Sequence, residues 1–419
     1  MKRRLIILSF FLLFGFALLC AKGQTEKSNS ISLSHTNWRP EDLNAWNAIY
    51  KEFEKDVQGI SIQSTPRPTD RYFSSVEIDA EGGVLDDMVN IWQNRVWNNS
   101  MFNRKYFIDL SKSIKNIDKM PEHHKYNFST DSGTIFAIPV ACQYTGILYN
   151  KKIFRENGIK VPKTWEEFIA ACEKLKSNGV TPLMFQGKDA WHIHYAFDLM
   201  MKPYLGGPKF LKSLLDHTYD FKNQDFIKAL ERFYTLKKFF PKDFMGLGYS
   251  DAQNMTATEQ VAMWPGCGSW EVLTLKSINP NIELGVFATP VDPGMTPYVT
   301  VFTDTGIAIS KFSSPEKQEA ALKFINWITS PEKGKLINDQ LGFFNAWDND
   351  KFSDTTLMEY AALAGKNGEN IVSDWAILLS DSSPTATDLI QVGLQDLMND
   401  KKSPQKVAEA IAAGLSVWY

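Results

Sequence analysis

The pattern of apolar and polar residues predicts strands and helices in alternation. Residues 31–34 alternate apolar and polar side chains as a half-buried strand does, and residues 43–53 place apolar side chains at helical spacing. A second alternating run follows at residues 60–63. A strand, a helix and a strand in close succession are typical of a parallel sheet. The first part of the chain is therefore predicted to be an α/β domain with a doubly wound sheet.

The stretch from Gly133 to Phe154 predicts a passage between two domains. It begins with an apolar run that ends at Pro139, and a second apolar run covers residues 146–149. Proline cannot donate a hydrogen bond to a β-ladder, so a central strand is expected to end at Pro139 or to pass to another sheet. A helix is predicted to start near Asn150. A strand that leaves one sheet and opens another domain predicts a hinge.

The second half of the chain repeats the alternation. Thr164, with Glu167 three residues later, predicts a helix that begins close to a capping box. A strand-like run at residues 260–264 is followed by a Gly-rich segment at residues 265–270. Within it, residues 266–269 are expected to form a tight turn, or else a backbone surface that a ligand can approach. These features predict a second α/β domain.

The N-terminal residues have the features of an export signal. Basic residues at positions 2–4 precede an uncharged apolar run at 5–19, which is shorter than a membrane-spanning helix requires. A sequence that resembles a bacterial lipobox ends at Cys20, which would carry the lipid. A small-residue pattern that ends at Gly23 suits ordinary signal peptidase instead. Residues 1–23 are predicted to be a signal segment; lipidation is preferred, and both cleavage sites stay open.

Composition and charge narrow the class of protein. The chain has 419 residues, enough for two domains, and 44% of them are hydrophobic, as in globular proteins. Removal of residues 1–19 lowers the formal net charge from −3 to −6, and so mildly acidic a chain lacks the basic face that nucleic-acid binding requires. Cys142, Cys172 and Cys267 allow at most one disulfide, and their spacing does not suit zinc.

Signatures of the common enzyme classes are missing from the sequence. It contains no GxSxG, GxxxxGK[ST] or HExxH motif. Cys142 has no histidine near it in sequence, so a packing thiol is favoured over a nucleophile. Asp86 and Asp87 are adjacent, and in a strand their side chains would point to opposite faces, unlike paired glycosidase carboxylates. No catalytic residue, metal ligand or cofactor is predicted.

Five aromatic residues occupy positions at which α/β proteins bind ligands. They lie at or just beyond predicted strand ends or in turns, and each has polar neighbours in sequence: Trp38, Trp92, Tyr144, Trp191 and Trp270. A sugar presents an apolar C–H face and a rim of hydroxyl groups. Aromatic rings with carboxylates and amides at their edges match both. The set predicts a carbohydrate site, although each ring taken alone fits a packed core equally well.

Several motifs resemble those of the solute-binding proteins that serve bacterial ATP-binding-cassette sugar importers, the maltose-binding-protein-like family. The most specific is the order of L-Y-N-K at 148–151, Phe154, N-G at 157–158 and P-K-T-W-E-E-F at 162–168. Supporting matches are W-R-P-E-D at 38–42, G-G at 82–83 with Asp87, A-M-W at 262–264 and G-S-W at 268–270. The resemblance covers nearly all of the chain from residue 31 to Tyr419.

The resemblance implies the two-lobed periplasmic binding protein fold, the Venus flytrap. Each lobe would be a doubly wound α/β sheet flanked by helices. The chain would cross between the lobes three times, at hinges near 141–145, 301–304 and 343–347. Lobe one would combine residues 24–141 and 304–343, and lobe two residues 145–301 and 347–419.

The resemblance also implies a ligand, its contacts and a partner. The expected ligand-binding residues are Trp38, Arg39, Asn90, Trp92, Tyr144, Trp191, Gly268, Trp270 and Asp304. The protein would be an extracytoplasmic monomer of the periplasm or cell envelope, lipid-anchored through Cys20, that binds a mono- or oligosaccharide and delivers it to a membrane permease of an ATP-binding-cassette importer. The alternative is a secreted glycan-degrading enzyme or a carbohydrate-binding adhesin.

Overall fold

The computed structural model describes most of the chain from residue 30 onward. The described residues are 30–68, 71–93, 95–115, 117–120, 122–130, 132–347, 352–365, 369–380 and 382–419. The predicted signal segment 1–23 and the predicted lipid site Cys20 lie outside the described residues. Within the described part of the chain, no helix has both the length and the apolar character needed to cross a bilayer.

Strands and helices alternate along the described chain. The strands are β1 (Ile31–Trp38), β2 (Ile60–Arg67), β3 (Met88–Ile91), β4 (Ile138–Asn150), β5 (Thr181–Leu183), β6 (Val261–Gly268), β7 (Leu284–Phe287), β8 (Val299–Ile309), β9 (Phe344–Asn345) and β10 (Ile371–Ser373). The α-helices are α1 (Leu43–Asp56), α2 (Tyr72–Glu81), α3 (Arg95–Asn103), α4 (Glu122–Asn127), α5 (Lys151–Glu156), α6 (Trp165–Ser177), α7 (Ala190–Leu205), α8 (Pro208–Leu215), α9 (Gln224–Tyr234), α10 (Tyr249–Ala257), α11 (Glu271–Ile278), α12 (Pro315–Ile328), α13 (Gly334–Leu341), α14 (Thr355–Leu363), α15 (Trp375–Leu378), α16 (Ala386–Met398) and α17 (Pro404–Leu415).

The first lobe is built on parallel strands with helices on both faces. β1 pairs in parallel with β2 and with β3, and β3 pairs antiparallel with β8. Helices α1 and α12 cover one face, where Trp46, Phe53 and Phe324 join a buried core. Helix α2 covers the other face through Tyr72 and Val76. The strand–helix–strand order predicted for residues 31–63 is confirmed.

The second lobe has its own sheet and a larger helical core. β6 lies between β4 and β5, and β7 pairs with the other edge of β4. Helices α6, α7 and α9 pack together through Phe168, Phe197 and Phe226. The predicted capping box of α6 is confirmed, because Thr164 Oγ1 accepts from Glu167 N at 3.2 Å and Glu167 Oε2 accepts from Thr164 N at 3.3 Å.

Three strands lie between the two lobes. β4 pairs with β8 in its first half and with β6 and β7 in its second half. β8 pairs with β10 at its start and with β3 at its end, and β9 pairs with the middle of β4. The boundary between the buried cores of the two lobes falls at β4 and at the start of β9. Ala141 and Phe343 belong to the first-lobe core, whereas the next residues, Cys142 and Phe344, belong to a second-lobe core. These pairings support the predicted hinges, whose boundaries stay a prediction.

β4 runs through Pro139, so the strand end predicted there as one alternative is wrong. The other alternative, a passage to another sheet, takes place further along, between Tyr144 and Thr145. Pro139 lies opposite Gly306 of β8, and the pairing register shifts between Pro139 and Ala141. Its carbonyl oxygen accepts a hydrogen bond from Trp347 Nε1 at 2.8 Å. A strand tolerates proline where the register is irregular, because the missing N–H then interrupts no ladder bond. The crossing strand is therefore continuous.

A buried ionic cluster joins α7 to β8 and α15. Lys202 Nζ lies 2.7 Å from Asp198 and donates to Thr300 Oγ1 at 2.7 Å. His194 Nε2 lies 3.0 Å from Asp374, whose carboxylate also caps α15. All four ionisable side chains are buried. Burial of charge is tolerated here because each charged group faces an opposite one.

The chain places its thiols in the core and offers no metal site among the described residues. Cys142, Cys172 and Cys267 are buried and form no disulfide. No group of three or more His, Cys, Asp or Glu side chains in the described ranges is arranged to hold a metal ion.

Candidate ligand-binding site

Arg39 follows β1 in an unusual backbone conformation. Its φ of 61° lies in the left-handed region, which residues with side chains rarely adopt. Its Nε lies 3.1 Å from an Asp42 oxygen, and its guanidinium carbon lies 5.1 Å from the ring centre of Phe343. Such a conformation persists where the surrounding contacts hold it in place. Arg39 is thus held against the segment that leads into β9.

The charge of Arg39 acts on carboxyl groups of both lobes. Burial alone would lower the pKa of Arg39, but Asp42 and Asp304, among other groups, outweigh burial and raise it. Burial raises the pKa of Asp304, and Arg39 offsets only part of that rise. Burial also raises the pKa of Glu271, against the opposing effects of Tyr249 and Arg39. Glu271 is the first residue of α11 in the second lobe, whereas Arg39 follows β1 of the first lobe. Arg39 and the carboxyl groups that it affects therefore lie between the two lobes.

Aromatic rings gather on the second-lobe side of these carboxyl groups. The ring centre of Trp191 lies 5.3 Å from Tyr195, 5.2 Å from Tyr249 and 6.5 Å from Trp270. Phe302 of β8 lies 4.5 Å from Tyr195 and 6.4 Å from Trp270. All but Phe302 are half-buried. Half-buried rings can contact the apolar face of a ligand. We name Trp191, Tyr195, Tyr249, Trp270 and Phe302 the aromatic group.

Polar groups stand beside the aromatic group. Tyr249 Oη donates to one oxygen of Glu271, and Gln253 Nε2 donates to the other at 3.1 Å. Ser269 is fully buried, and its Oγ has no hydrogen-bond partner among the described residues. Buried polar atoms usually have a partner, and this unpaired oxygen belongs to the residue that directly precedes Trp270.

Gly268 makes room for the ring of Trp270. β6 extends to Gly268, which pairs with Thr145 of β4, so the tight turn predicted for residues 266–269 is wrong. A β-carbon on Gly268 would overlap the indole ring of Trp270. Glycine is therefore what allows the indole to lie against the end of the strand.

Trp38 and Trp92 form a separate aromatic pair in the first lobe. Their ring centres are 6.0 Å apart, and Trp38 lies equally far from Tyr72. Trp38 ends β1 and Trp92 follows β3, so both lie at the sheet edge that carries Arg39. No ring contact among the described residues joins this pair to the aromatic group.

Asn90 and Tyr144 make mainly internal contacts. Asn90 is buried in β3, and its Oδ1 lies 2.8 Å from His35 Nε2. The ring centre of Tyr144 lies 4.4 Å from that of Phe344. Of the nine predicted residues, the structure brings together the following: Arg39, Trp191, Gly268, Trp270 and Asp304. The ligand-binding role of all nine stays a prediction.

Some members of this site were missed by the sequence analysis. Tyr195 follows Trp191 by four residues on α7, and that spacing, which puts both on one helix face, was a usable signal. Glu271 directly follows Trp270 and is one of the polar sequence neighbours of the predicted rings, but it was not predicted as a site residue. Tyr249 and Phe302 join the group through the packing of α10 and β8, for which the sequence holds no local signal.

The sequence of residues 37–335 matches the family described as bacterial extracellular solute-binding protein. The chain belongs to this family. The predicted family is thereby confirmed, and its members are binding proteins, not enzymes. Membership also implies an extracytoplasmic location.

Relatives of comparable length carry names that refer to sugars. The multiple sugar-binding protein of Streptococcus mutans is 23% identical over 316 residues, which are 74% of this chain and 74% of the relative. The melibiose/raffinose/stachyose-binding protein MelE of Bacillus subtilis is 22% identical over 377 residues, which are 84% of this chain and 86% of MelE.

Solved structures of sugar-binding proteins have the same fold. Raffinose-bound RafE, a protein of Streptococcus pneumoniae, superposes with a TM-score of 0.75 at 21% identity and covers 92% of this chain and 99% of its own. Maltose-bound MalE3 of T. maritima superposes with a TM-score of 0.72 at 18% identity and covers 93% of this chain and 100% of its own. The predicted two-lobed α/β fold is confirmed.

Proposed function

We propose that this protein binds a mono- or oligosaccharide between its lobes and delivers it to the membrane permease of an ATP-binding-cassette importer. The observation that carries the proposal is the aromatic group, half-buried beside the buried carboxyl groups of Asp304 and Glu271. Rings fit the C–H face of a sugar, and carboxylates accept strong hydrogen bonds from its hydroxyls. The sugar-binding names of the relatives support this proposal.

The proposed ligand contacts combine the sequence prediction with the geometry. From the sequence they are Trp38, Arg39, Asn90, Trp92, Tyr144, Trp191, Gly268, Trp270 and Asp304. From the geometry we add Tyr195, Tyr249, Ser269 and Glu271.

Closure of the two lobes is the proposed mechanism of capture. A sugar first binds to one lobe, and the closed form then dominates because only that form makes both sets of contacts. Hinge closure around a ligand is well known for periplasmic binding proteins. The hinges are proposed near 141–145, 301–304 and 343–347, between lobe one (24–141, 304–343) and lobe two (145–301, 347–419). The strand pairings and the division of the cores support this assignment.

We place the protein in the periplasm or cell envelope as a monomer. A lipid on Cys20 would anchor it, and cleavage after Gly23 would instead release it. The lipobox-like sequence that ends at Cys20 favours the anchor. Cells fed a radioactive fatty acid should label the natural chain and not a Cys20→Ala variant; a natural chain without label would refute the anchor.

A thermal-shift screen over mono- and oligosaccharides tests the proposed function. A sugar present at about 100 times its dissociation constant adds about 2.7 kcal/mol to the free energy of unfolding. Sugars that raise the unfolding temperature then enter calorimetry. There, Trp270→Ala should weaken binding by about 2 kcal/mol or more, because apolar contact is lost.

The matched control is Trp327→Ala. Trp327 is a half-buried tryptophan of α12 in the first lobe, and its ring contacts are with Phe53 and Phe324, which are not members of the aromatic group. Its loss should leave the sugar affinity unchanged. If no sugar raises the unfolding temperature, the proposed ligand class is wrong; if Trp270→Ala binds as tightly as the natural chain, Trp270 does not contact the sugar. Oligosaccharides should return intact from incubation with the protein.

A further inference from the structure

An exposed apolar patch lies on the first lobe. Three large side chains are unusually open to solvent: Ile78 is 70% exposed, Val84 67% and Phe312 44%. Val84 N donates to Asp79 O at 2.9 Å, which folds the chain back onto the last turn of α2. A β-carbon on Gly82 would lie 3.5 Å from Val84, and one on Gly83 would lie 3.8 Å from the Phe312 ring. Val84 and Phe312 therefore flank the turn that ends α2, the helix that carries Ile78 in its last turn. We name these three side chains the apolar patch; contiguous exposed apolar surface usually marks an interaction site.

The strand directions place the apolar patch at the edge of the sheet opposite to the candidate ligand-binding site. Arg39 follows the C-terminal end of β1. Val84 precedes the N-terminal end of β3, which runs parallel to β1. Phe312 follows the C-terminal end of β8, which is antiparallel to β3 and therefore ends at the same edge. The patch thus lies on the side of the first lobe that faces away from the site.

The N-terminal segment leaves the first lobe from that same edge. β1 begins at Ile31 and is the direct neighbour of β3, with His35 opposite Met88. Ile31 therefore lies about 13 Å beyond the start of β3 along the strand direction. Cys20 precedes Ile31 by eleven residues, a length of chain that can reach at most roughly 40 Å. A lipid on Cys20 would therefore keep this edge of the lobe close to a bilayer.

Two lysines flank the apolar patch. Lys311 directly precedes Phe312, and its N donates to Tyr106 O at 2.9 Å, which brings Lys105 to the same side. Both lysines are exposed, and neither forms an ion pair within the described ranges. Exposed lysines beside apolar side chains match the anionic headgroups and acyl chains of a lipid surface.

We propose that the apolar patch rests on the bilayer to which the N-terminal segment attaches the protein. Ile78, Val84 and Phe312 insert at the boundary between headgroups and acyl chains, and Lys105 and Lys311 contact anionic headgroups. This inference rests on the proposed lipid anchor. A single tether leaves the lobes free to turn, whereas tether and patch together hold the candidate site towards incoming solute while it is empty. The patch must then leave the bilayer before the loaded site can face the permease.

A fluorescent probe on Val84 tests the contact. The full lipidated chain with Val84→Cys carries an environment-sensitive fluorophore and is bound to vesicles of phosphatidylcholine and phosphatidylglycerol. Cys142, Cys172 and Cys267 are buried and do not compete for the label. The matched control is Val392→Cys, because Val392 is an apolar side chain of α16 in the second lobe that is 55% exposed.

The expected result is a change at position 84 alone. Emission from position 84 should shift to shorter wavelength on vesicles and be quenched by nitroxide-labelled lipid, while emission from position 392 does neither. If the protein sediments with the vesicles but the emission from position 84 does not shift, the contact between the patch and the bilayer is wrong. The lipid anchor is then still supported. A shift that is already complete without vesicles also overturns it, because another part of the chain or a second copy then covers the patch. Protein that stays in solution overturns the anchor and the contact together, while sugar binding is untouched.

Discussion

At the scale of single residues, the candidate site depends on small differences in side-chain volume. Trp270 occupies its position only because Gly268 has no side chain, and it directly precedes Glu271. Trp270 also packs against the core of the first lobe although its helix belongs to the second. One indole therefore contacts both lobes, so its position bears on binding and on closure.

Gly268→Ala should weaken sugar binding about as much as loss of the Trp270 ring, by about 2 kcal/mol, because the added methyl group displaces the indole. Calorimetry with the sugar identified by screening measures the effect. Gly246→Ala is the control, since a β-carbon on Gly246 meets nothing within 4 Å. Equal affinities for the two alanine variants would mean that the position of Trp270 does not matter.

At the scale of elements, signals local in the sequence predicted most helices. Where a strand ends depends on its pairing with distant strands, which local signals do not show. Thr164 and Glu167 formed the expected capping box because both partners lie within one turn. The break predicted at Pro139 failed because pairing with β8 and a register shift carry the strand through it. The tight turn predicted at 266–269 failed for a similar reason, since β4 pairs with β6 as far as Gly268.

Two lysine–aspartate pairs with the same helical spacing should differ sharply in their contribution to stability. Lys202–Asp198 is fully buried, whereas Lys212–Asp216 is exposed. Lys202→Met leaves a buried carboxylate without its cation and should lower the unfolding free energy by about 3–5 kcal/mol. Lys212→Met should change it by less than about 1 kcal/mol. Denaturant titration measures the unfolding free energy of both variants. Similar small decreases in the two variants would mean that the buried cluster contributes little to stability.

His194 should make the stability of the second lobe depend on pH. Burial alone would lower the pKa of His194, but Asp374 outweighs burial and raises it above 6.5. The charged pair therefore contributes stability that is complete below pH 6.5 and is lost as the pH rises through the raised pKa. Relative to His194→Gln, the natural chain should lose unfolding free energy from pH 6 to pH 9. His217→Gln, at an exposed position, should keep the natural profile. Parallel pH profiles for the natural chain and His194→Gln would contradict a charged pair.

At the scale of the whole molecule, the lobes could be predicted only through the resemblance. Apolar periodicity located β1 and β2, but the order in which β8 joins β3 to β4 is a property of the assembled sheet. For the same reason the sequence predicted Trp191 and Trp270 and missed Phe302, which reaches the aromatic group because β8 crosses between the lobes. Asn90 and Tyr144 contact His35 of β1 and Phe344 of β9, partners on other strands that the sequence could not predict, and their ligand-binding role stays a prediction.

Saturating sugar should lower the radius of gyration of the protein in solution scattering, because the closed form makes contacts from both lobes. Gly268→Ala should need a higher sugar concentration to reach the same decrease. An unchanged radius at a concentration at which calorimetry shows full occupancy would contradict closure and leave binding intact.

Strand β8 lies far from its partner β3 in the sequence, and this separation affects how the protein folds during export. Met88 pairs with Ile309, 221 positions later in the sequence. A chain that is exported from the cytoplasm N-terminus first therefore spends most of its export with the edge of β3 unpaired. Open strand edges invite pairing with other chains. The interval between the emergence of β3 and that of β8 is thus the period of greatest aggregation risk, and secretory chaperones would be needed most during it.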